Sequence, residues 1–584
     1  MRFNDIDYGL IDLNKPVKVF CAKKVITMDE NRPEAEAIAI QDGYIVGVGS
    51  KESVLRGLKV REIQFETDMQ FENYYIYPGF AEHHMHPQIM GSFMTGGNYI
   101  GFTDRTTAEG GILPGIQSIE KLKARIKELV VQNEERLKKG GNEWLNCWGF
   151  DPLMLQDADV TRDVLDEVCK DYPLCIYHAS AHIMNLNSAG LKLAGYDKLP
   201  PSPFLPRYED GRIDGTIEEP EMMRYAFEAG ASRLDYSLEG MIKASEVSTK
   251  IARIKGCTSV TDKGTNFPLT PKDIASRAWV SARDQKKIHT RVNMEVWFNT
   301  VDVWDYKGKK GWDAIKEIQN EKDPRLSVGN FKILIDGSIQ GFTANLLPNC
   351  CYIKPGKENG LLTVDEDHLV KLIKIAEEHG MSVSVHTNGN GATEAVINAI
   401  ERVRKESPSI GFRHSMEHCQ LATENQFWRM AKLHITPNLF TNHLYYWGDA
   451  HAKYTVGEHG VRHMDACRSA LRYGLKIGMH SDDVVTEVSP LFTAWCATNR
   501  KSLSGKVYGE DQCISVAEAM RAITYNHAWL AHQEDVRGSI EMGKWADFTI
   551  LEEEATEDKK ERLKDIRIIG SVIGGDDIFI NGRN

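Results

Sequence analysis

The chain has 584 residues, of which 42% are hydrophobic and 26% charged, and its formal net charge is -12. This balance belongs to folded globular proteins and excludes a disordered or fibrous chain. The acidic total argues against a nucleic-acid partner, which needs clustered Lys and Arg, and no run of ~18 apolar residues suggests a membrane span.

The N-terminal MRFNDIDYGLIDLNKP is acidic and lacks the continuous apolar stretch of a secretory signal, so the expected address is the cytoplasm. From about Val17 to Ile76 short β-rich pieces alternate with turn signals: VKVFCAKKVITM, AEAIAIQDGYIVGVG and ENYYIYP, with Asp42-Gly43 as a hairpin turn. From about Pro78 to His532, β-branched runs alternate with amphipathic helices, the pattern of a parallel α/β fold. Eight runs qualify as strands: YPGFAEHHMH, CTSVTDKG, RVNMEVWF, FKILIDGS, MSVSVHTN, FRHSMEHC, HITPNLF and KIGMHSDD. Between the first and second lies a long insertion with the helical pattern SIEKLKARIKELVVQNEERLKKG. Lys307 to Lys310, the longest basic run, reads as a solvated loop. The C-terminal GSIEMGKWADFTILEEE and IRIIGSVIGGDDIFINGRN return to strands with Gly turns.

The predicted fold is therefore an α/β chain with a (β/α)8 TIM-like barrel over residues 78–532. A small β-sandwich is assembled from both chain ends, 1–77 and 533–584, and the insertion at about 90–245 covers the mouth where such barrels carry their active sites. Eleven Cys without a CxxC pair read as reduced thiols, with the adjacent Cys350 and Cys351 as packing residues.

His84 and His86 stand two apart at the end of the first strand, so their side chains point the same way and can meet one metal ion. His83 points to the opposite face. Alone, such a pair reads equally well as two satisfied histidines near a turn. Repetition changes this, because Lys332, His386, His418 and Asp482 occur towards the ends of later strands, and in a parallel barrel those ends share one face. Four His and one Asp suit zinc, and iron, manganese or nickel take the same ligand types.

PGFAEHHMHP, the strand histidines, HSDD and GSIEMGKWADFTIL resemble the amidohydrolase superfamily. DVLDEVCKDYPLCIYHASAHIMNLNSAGL, DGTIEEPE, FKILIDGSIQGFTANLL, HTNGNGA and EHCQL are similar to the amidohydrolase family 3 branch that includes N-substituted formamide deformylases. The resemblance implies that His84 and His86 hold one divalent metal, zinc by preference, and that His386 and His418 hold a second. It implies a carbamylated Lys332 as bridging ligand, and Asp482 as both metal ligand and catalytic proton shuttle. The bland alternative for Lys332 is a barrel lysine paired with a carboxylate such as Asp336.

His182 and Glu219 resemble family positions that face substrate; their bland readings are a turn cap and a surface carboxylate. Trp148 and Asp151, in NCWGFDP, and Trp447 are further pocket candidates, although aromatics more often fill cores. Glu82, Asn390 and His480 depart from the family pattern, and His480 adds a hydrogen-bonding group near Asp482.

The implied function is metal-dependent hydrolysis of an amide or other non-peptide C–N bond in a small molecule, by water activated on the metal. The same site in a deaminase, or in a lactone, carbamate or ester hydrolase, is the alternative. A non-enzymatic binding protein is the reading that the complete ligand set argues against. A homodimer is the expected assembly.

Overall fold

The computed structural model describes residues 11–582 except 13, 141–142, 156–159, 180–182, 219, 232–233, 268–272 and 409–410. The chain packs as two compact units: Met1–His86 with Thr249–Asn584, and Pro87–Ser248.

The first unit contains a parallel barrel. Its strands are Phe80–Met85, Cys257–Thr265, Arg291–Trp297, Leu326–Leu334, Val383–Thr387, Ser415–His418, Thr436–Leu439 and Gly478–Met479, paired as neighbours in chain order. Each falls on one of the eight runs picked from the sequence. The ring closes between the first and last, where Met85 bridges Asp483, the His86 amide donates to the Asp483 carbonyl at 2.6 Å, and the Asp482 amide donates to the His84 carbonyl at 3.1 Å. Every residue of the first three strands is buried, as expected where helices cover the outside of a parallel sheet and side chains fill the inside.

Some of the helices between strands start on side-chain caps. Asp365 caps Glu366–Glu378, and Thr423 with Gln426 forms a capping box on Glu424–Leu433. Asn390–Glu406 buries Val396, Ile397, Ile400 and Val403. Gly389 precedes it because a Cβ there would stand 1.8 Å from the Asn345 carbonyl oxygen.

Both chain ends enter one further sheet. Its order is Asp577–Ile580, Ile568–Ile573, Phe548–Leu551, Tyr75–Pro78, Val17–Ile26, Glu34–Gln41 and Tyr44–Gly49, with Phe65–Asp68 also pairing to Val17–Ile26. Asp42 and Gly43 turn the hairpin with φ of 48° and 84°, the sign a two-residue type I′ turn requires. Arg291 ties the barrel to this sheet through a bidentate contact with Asp547 at 2.6 and 2.8 Å.

The second unit has its own core. Strands Thr216–Glu218, Ile183–Leu186, Leu174–His178, Leu145–Phe150 and Asn98–Tyr99 form a five-stranded mixed sheet. Helix Ile119–Gln132, capped by Ser118, adds Leu122, Ile126 and Leu129 to a cluster with Leu145, Leu174 and Ile176. The sequence reading recognised the helix; the strands, two to six residues long, lack the length for a clear period.

Lys309–Lys310 pairs with Asp305–Tyr306 as a short hairpin, and Lys307 and Lys309 pair with Glu321 and Glu317, so this run is ordered by ion pairs rather than a plain loop. Cys351 is exposed and Cys350 half-buried, so Cys351 does not serve packing as expected. Among the described residues, no helix is long and apolar enough to cross a membrane.

Candidate metal centre

Alternation along the first strand separates its histidines. His83 is buried beside Thr261, whose hydroxyl lies 3.0 Å from its Nδ1, and stacks near His527. His84 turns the other way, and its Nδ1 donates to Glu417 Oε2 at 2.7 Å. That bond fixes the tautomer and leaves the Nε2 lone pair for a ligand. Nε2 of His84 lies 3.3 Å from Asp482 Oδ1, and Nε2 of His86 lies 3.5 Å from the same oxygen. His418 Nδ1 stands 4.0 Å from the other oxygen, Oδ2.

His386 joins through its neighbour, with ring centroids 4.5 Å from His418. Its Nδ1 donates to Asp336 Oδ1 at 3.0 Å and its Nε2 lies 3.4 Å from the Asn388 amide nitrogen. Asp336 spends its remaining capacity on the backbone amides of Asn345, Gly389 and Asn388. The pairing of Lys332 with Asp336 therefore does not occur. Lys332 lies inside its strand, two residues short of the end, and its buried Nζ has no hydrogen-bond partner.

Two of these residues adopt left-handed backbone, His418 with φ 66° and Asp482 with φ 53°. Such conformations cost about 1–3 kcal/mol each in a non-glycine residue and cluster at functional sites.

The electrostatics favour neutral imidazoles. Burial, then Lys332, holds His84 well below the ordinary histidine range and His86 down to about 3; burial, then His386, does the same to His418. Burial pushes Asp482 up to about 7 against the pull of Lys332. Burial likewise brings Lys332 down to about 8 although Glu417 opposes it.

Below the ligands lies a group that sequence reasoning missed. Glu417 accepts from Lys263 at 3.1 Å, Ser384 at 2.8 Å, Ser415 at 2.7 Å and Asn438 at 2.7 Å as well as from His84, and Lys263 also reaches Glu295 at 2.7 Å. Burial raises the Glu417 carboxyl, but Lys263 and the His84 ring outweigh it and hold it well below the usual range. A lysine or glutamate within an otherwise buried strand was the available signal, because such a charge needs a partner inside the barrel.

Glu82 accepts from the His84 amide at 3.0 Å and from the Ser481 amide and hydroxyl at 3.1 and 2.7 Å, fastening the first strand to the segment carrying Asp482. Asn390 accepts from the Leu347 amide at 2.9 Å and donates to Cys350 Sγ at 3.4 Å, so it pins the chain after the fourth strand. Trp447 is buried on helix Thr441–Ala450 and stacks on His443 at 4.5 Å. Trp148 is buried in the second unit against Phe93, Tyr99 and the Arg105 guanidinium. Asp151 accepts the Leu153 amide at 2.8 Å. His182 and Glu219 lie outside the described residues.

Residues 72–579 match the model of the amidohydrolase family. The chain belongs to the amidohydrolase family. It is 26% identical over 567 residues to YtcJ of Bacillus subtilis, covering 95% of this chain and 98% of that one. It is 22% identical over 559 residues to the N-substituted formamide deformylase of Arthrobacter pascens, covering 94% and 96%. A solved metal-dependent hydrolase from Pyrococcus horikoshii shares the fold with a TM-score of 0.68 and 20% identity, over 93% of this chain and 99% of that one. Within this family member, the donor set itself fits a divalent cation. One ligand atom each from His84, His86 and Asp482 lie within 4.8 Å of one another, and His418 Nδ1 and Asp482 Oδ1 are buried without hydrogen-bond partners.

Proposed function

We propose that the protein is a metal-dependent hydrolase that cleaves an amide, or another non-peptide C–N bond, in a small organic substrate, with Asp482 carrying the proton. The observation that supports this best is the Asp482 carboxylate, whose Oδ1 faces the Nε2 atoms of both first-strand histidines at 3.3 and 3.5 Å without a hydrogen bond. His84, His86, His418 and Asp482, with His386 beside them, are the residues that would hold one or two zinc ions.

When bound, a divalent cation lowers the pKa of water from 15.7 to about 7 and polarises a carbonyl. The chain's own groups supply the rest. Glu417 orients His84, and Asp336 orients His386. Asp482, lifted to about 7 by burial, accepts the proton of the attacking water and returns it to the leaving nitrogen; a neighbouring cation draws that value down again.

Lys332 is the site of carbamylation in this reading. Its ammonium, at about 8, loses one proton, and the neutral amine then adds to carbon dioxide, forming one N–C bond as one C–O π bond breaks and releasing a second proton. The product replaces a buried cation, which would repel a metal, by a carboxylate.

The test is elemental analysis of the purified protein with a screen of N-formyl, N-acyl and ester substrates, repeated on Asp482→Asn. Metal-dependent amide turnover is expected to fall about 10²–10⁴-fold in the variant, the usual contribution of a general acid–base. Undiminished turnover of every substrate by Asp482→Asn would contradict the proton-transfer role.

A further inference from the structure

His480 lies between the last barrel strand and Asp482, with its backbone amide donating to the Leu439 carbonyl at 3.1 Å. Its side chain is fully buried, and neither ring nitrogen has a hydrogen-bond partner. A neutral imidazole always carries one donor and one acceptor nitrogen, and burying both unpaired is unfavourable and uncommon.

Packing alone does not call for those nitrogens. The ring is sandwiched between His84, at 4.4 Å and 15°, and Phe440, at 5.0 Å and 18°, with His418 at 4.9 Å and 61°. A phenylalanine fills such a stack with no polar atom to desolvate. What distinguishes histidine here is its neighbours: one ligand nitrogen each of His84, His418 and His480 lie within 4.8 Å of one another.

We propose that His480 is a nitrogen ligand of the barrel metal centre, joining His84 and His418 around the same ion that the single free lone pair of His84 serves with His86 and Asp482. This rests on the reading that the barrel holds a divalent cation. A donor set dominated by imidazoles favours a borderline transition metal such as zinc, cobalt or nickel over magnesium or calcium. Because imidazole lone pairs lie in the ring plane, the nearly parallel rings of His84 and His480 serve one ion only when one of them tilts. Loading would therefore require one of the two rings to leave the stack.

The experiment compares the full-length wild type with His480→Phe, which keeps the aromatic sandwich and removes both nitrogens. The readouts are zinc and cobalt equivalents, affinity by chelator competition, the cobalt(II) visible spectrum, and melting of the metal-free protein. The expected result is a metal-free variant that melts at or above the wild-type temperature. It binds one equivalent fewer or more than a hundredfold more weakly, and its cobalt bands shift.

An affinity loss of a hundredfold or less with unchanged stoichiometry, the range of residues that merely orient a ligand, overturns the assignment. The nitrogens would then serve a buried water. If His480→Phe fails to fold, His480→Gln is judged by the same thresholds. A wild type that binds no metal defeats the underlying hydrolase reading as well, whereas a metal-binding wild type with an unaffected variant defeats this inference alone.

Discussion

Two groups of polar side chains share the interior of one barrel and are treated differently by the fold. Glu417 is surrounded by five donors, including the buried Lys263 ammonium. In contrast, Lys332 Nζ, His418 Nδ1, Asp482 Oδ1 and both nitrogens of His480 are buried without hydrogen bonds. The first group forms a hydrogen-bonded platform, and the second is left with polar atoms that a ligand would take up in the function proposed above. Left-handed backbone at His418 and Asp482 places strain in the second group, where binding can offset it.

The contrast can be broken from the platform side first. Lys263→Met leaves the buried carboxylates Glu295 and Glu417 without the ammonium that lies between them, and a loss of about 3–5 kcal/mol in unfolding free energy is expected by chemical denaturation. A loss below about 1 kcal/mol would mean that the platform is not held by this ion pair. Glu417→Gln should act less on stability than on the site, since it weakens the hold on His84 Nδ1. Metal affinity measured by chelator competition is expected to drop about 10–100-fold, and an unchanged affinity would disconnect the two groups. The smallest effect is expected from Lys332→Met. Removing a buried amine that has no hydrogen bond should leave the metal-free protein at least as stable as the wild type. A loss comparable to that of Lys263→Met would erase the distinction between the two lysines.

The sequence revealed this division unevenly. The barrel strands were legible because short β-branched runs bounded by turn signals recur between amphipathic helices, and parallel strand ends must share a face. That geometry also assembled His84, His86, His386, His418 and Asp482 from distant positions. Glu417, Lys263 and Glu295 stayed hidden because their partnership depends on cross-barrel distances that no local pattern encodes. Lys332 was noticed as a residue, but its isolation was not, because whether a buried amine finds a carboxylate depends on which way Asp336 turns. His480 stood out in the sequence only as an extra hydrogen-bonding group. Its sandwich between His84 and Phe440 arises from the seventh and eighth strands meeting the first. The sheet of the Pro87–Ser248 unit escaped notice because its strands are too short to show a period.

The most direct measurement is metal content and melting temperature of the purified full-length protein, before and after chelation, alongside His84→Ala and His418→Ala. The expected result is one or two equivalents of a divalent transition metal, a lower melting temperature once it is stripped, and loss of both metal and stabilisation in the two variants. A protein that carries no metal, takes none up on titration and melts identically in chelator would contradict the reading of the strand-end histidines and Asp482 as ligands.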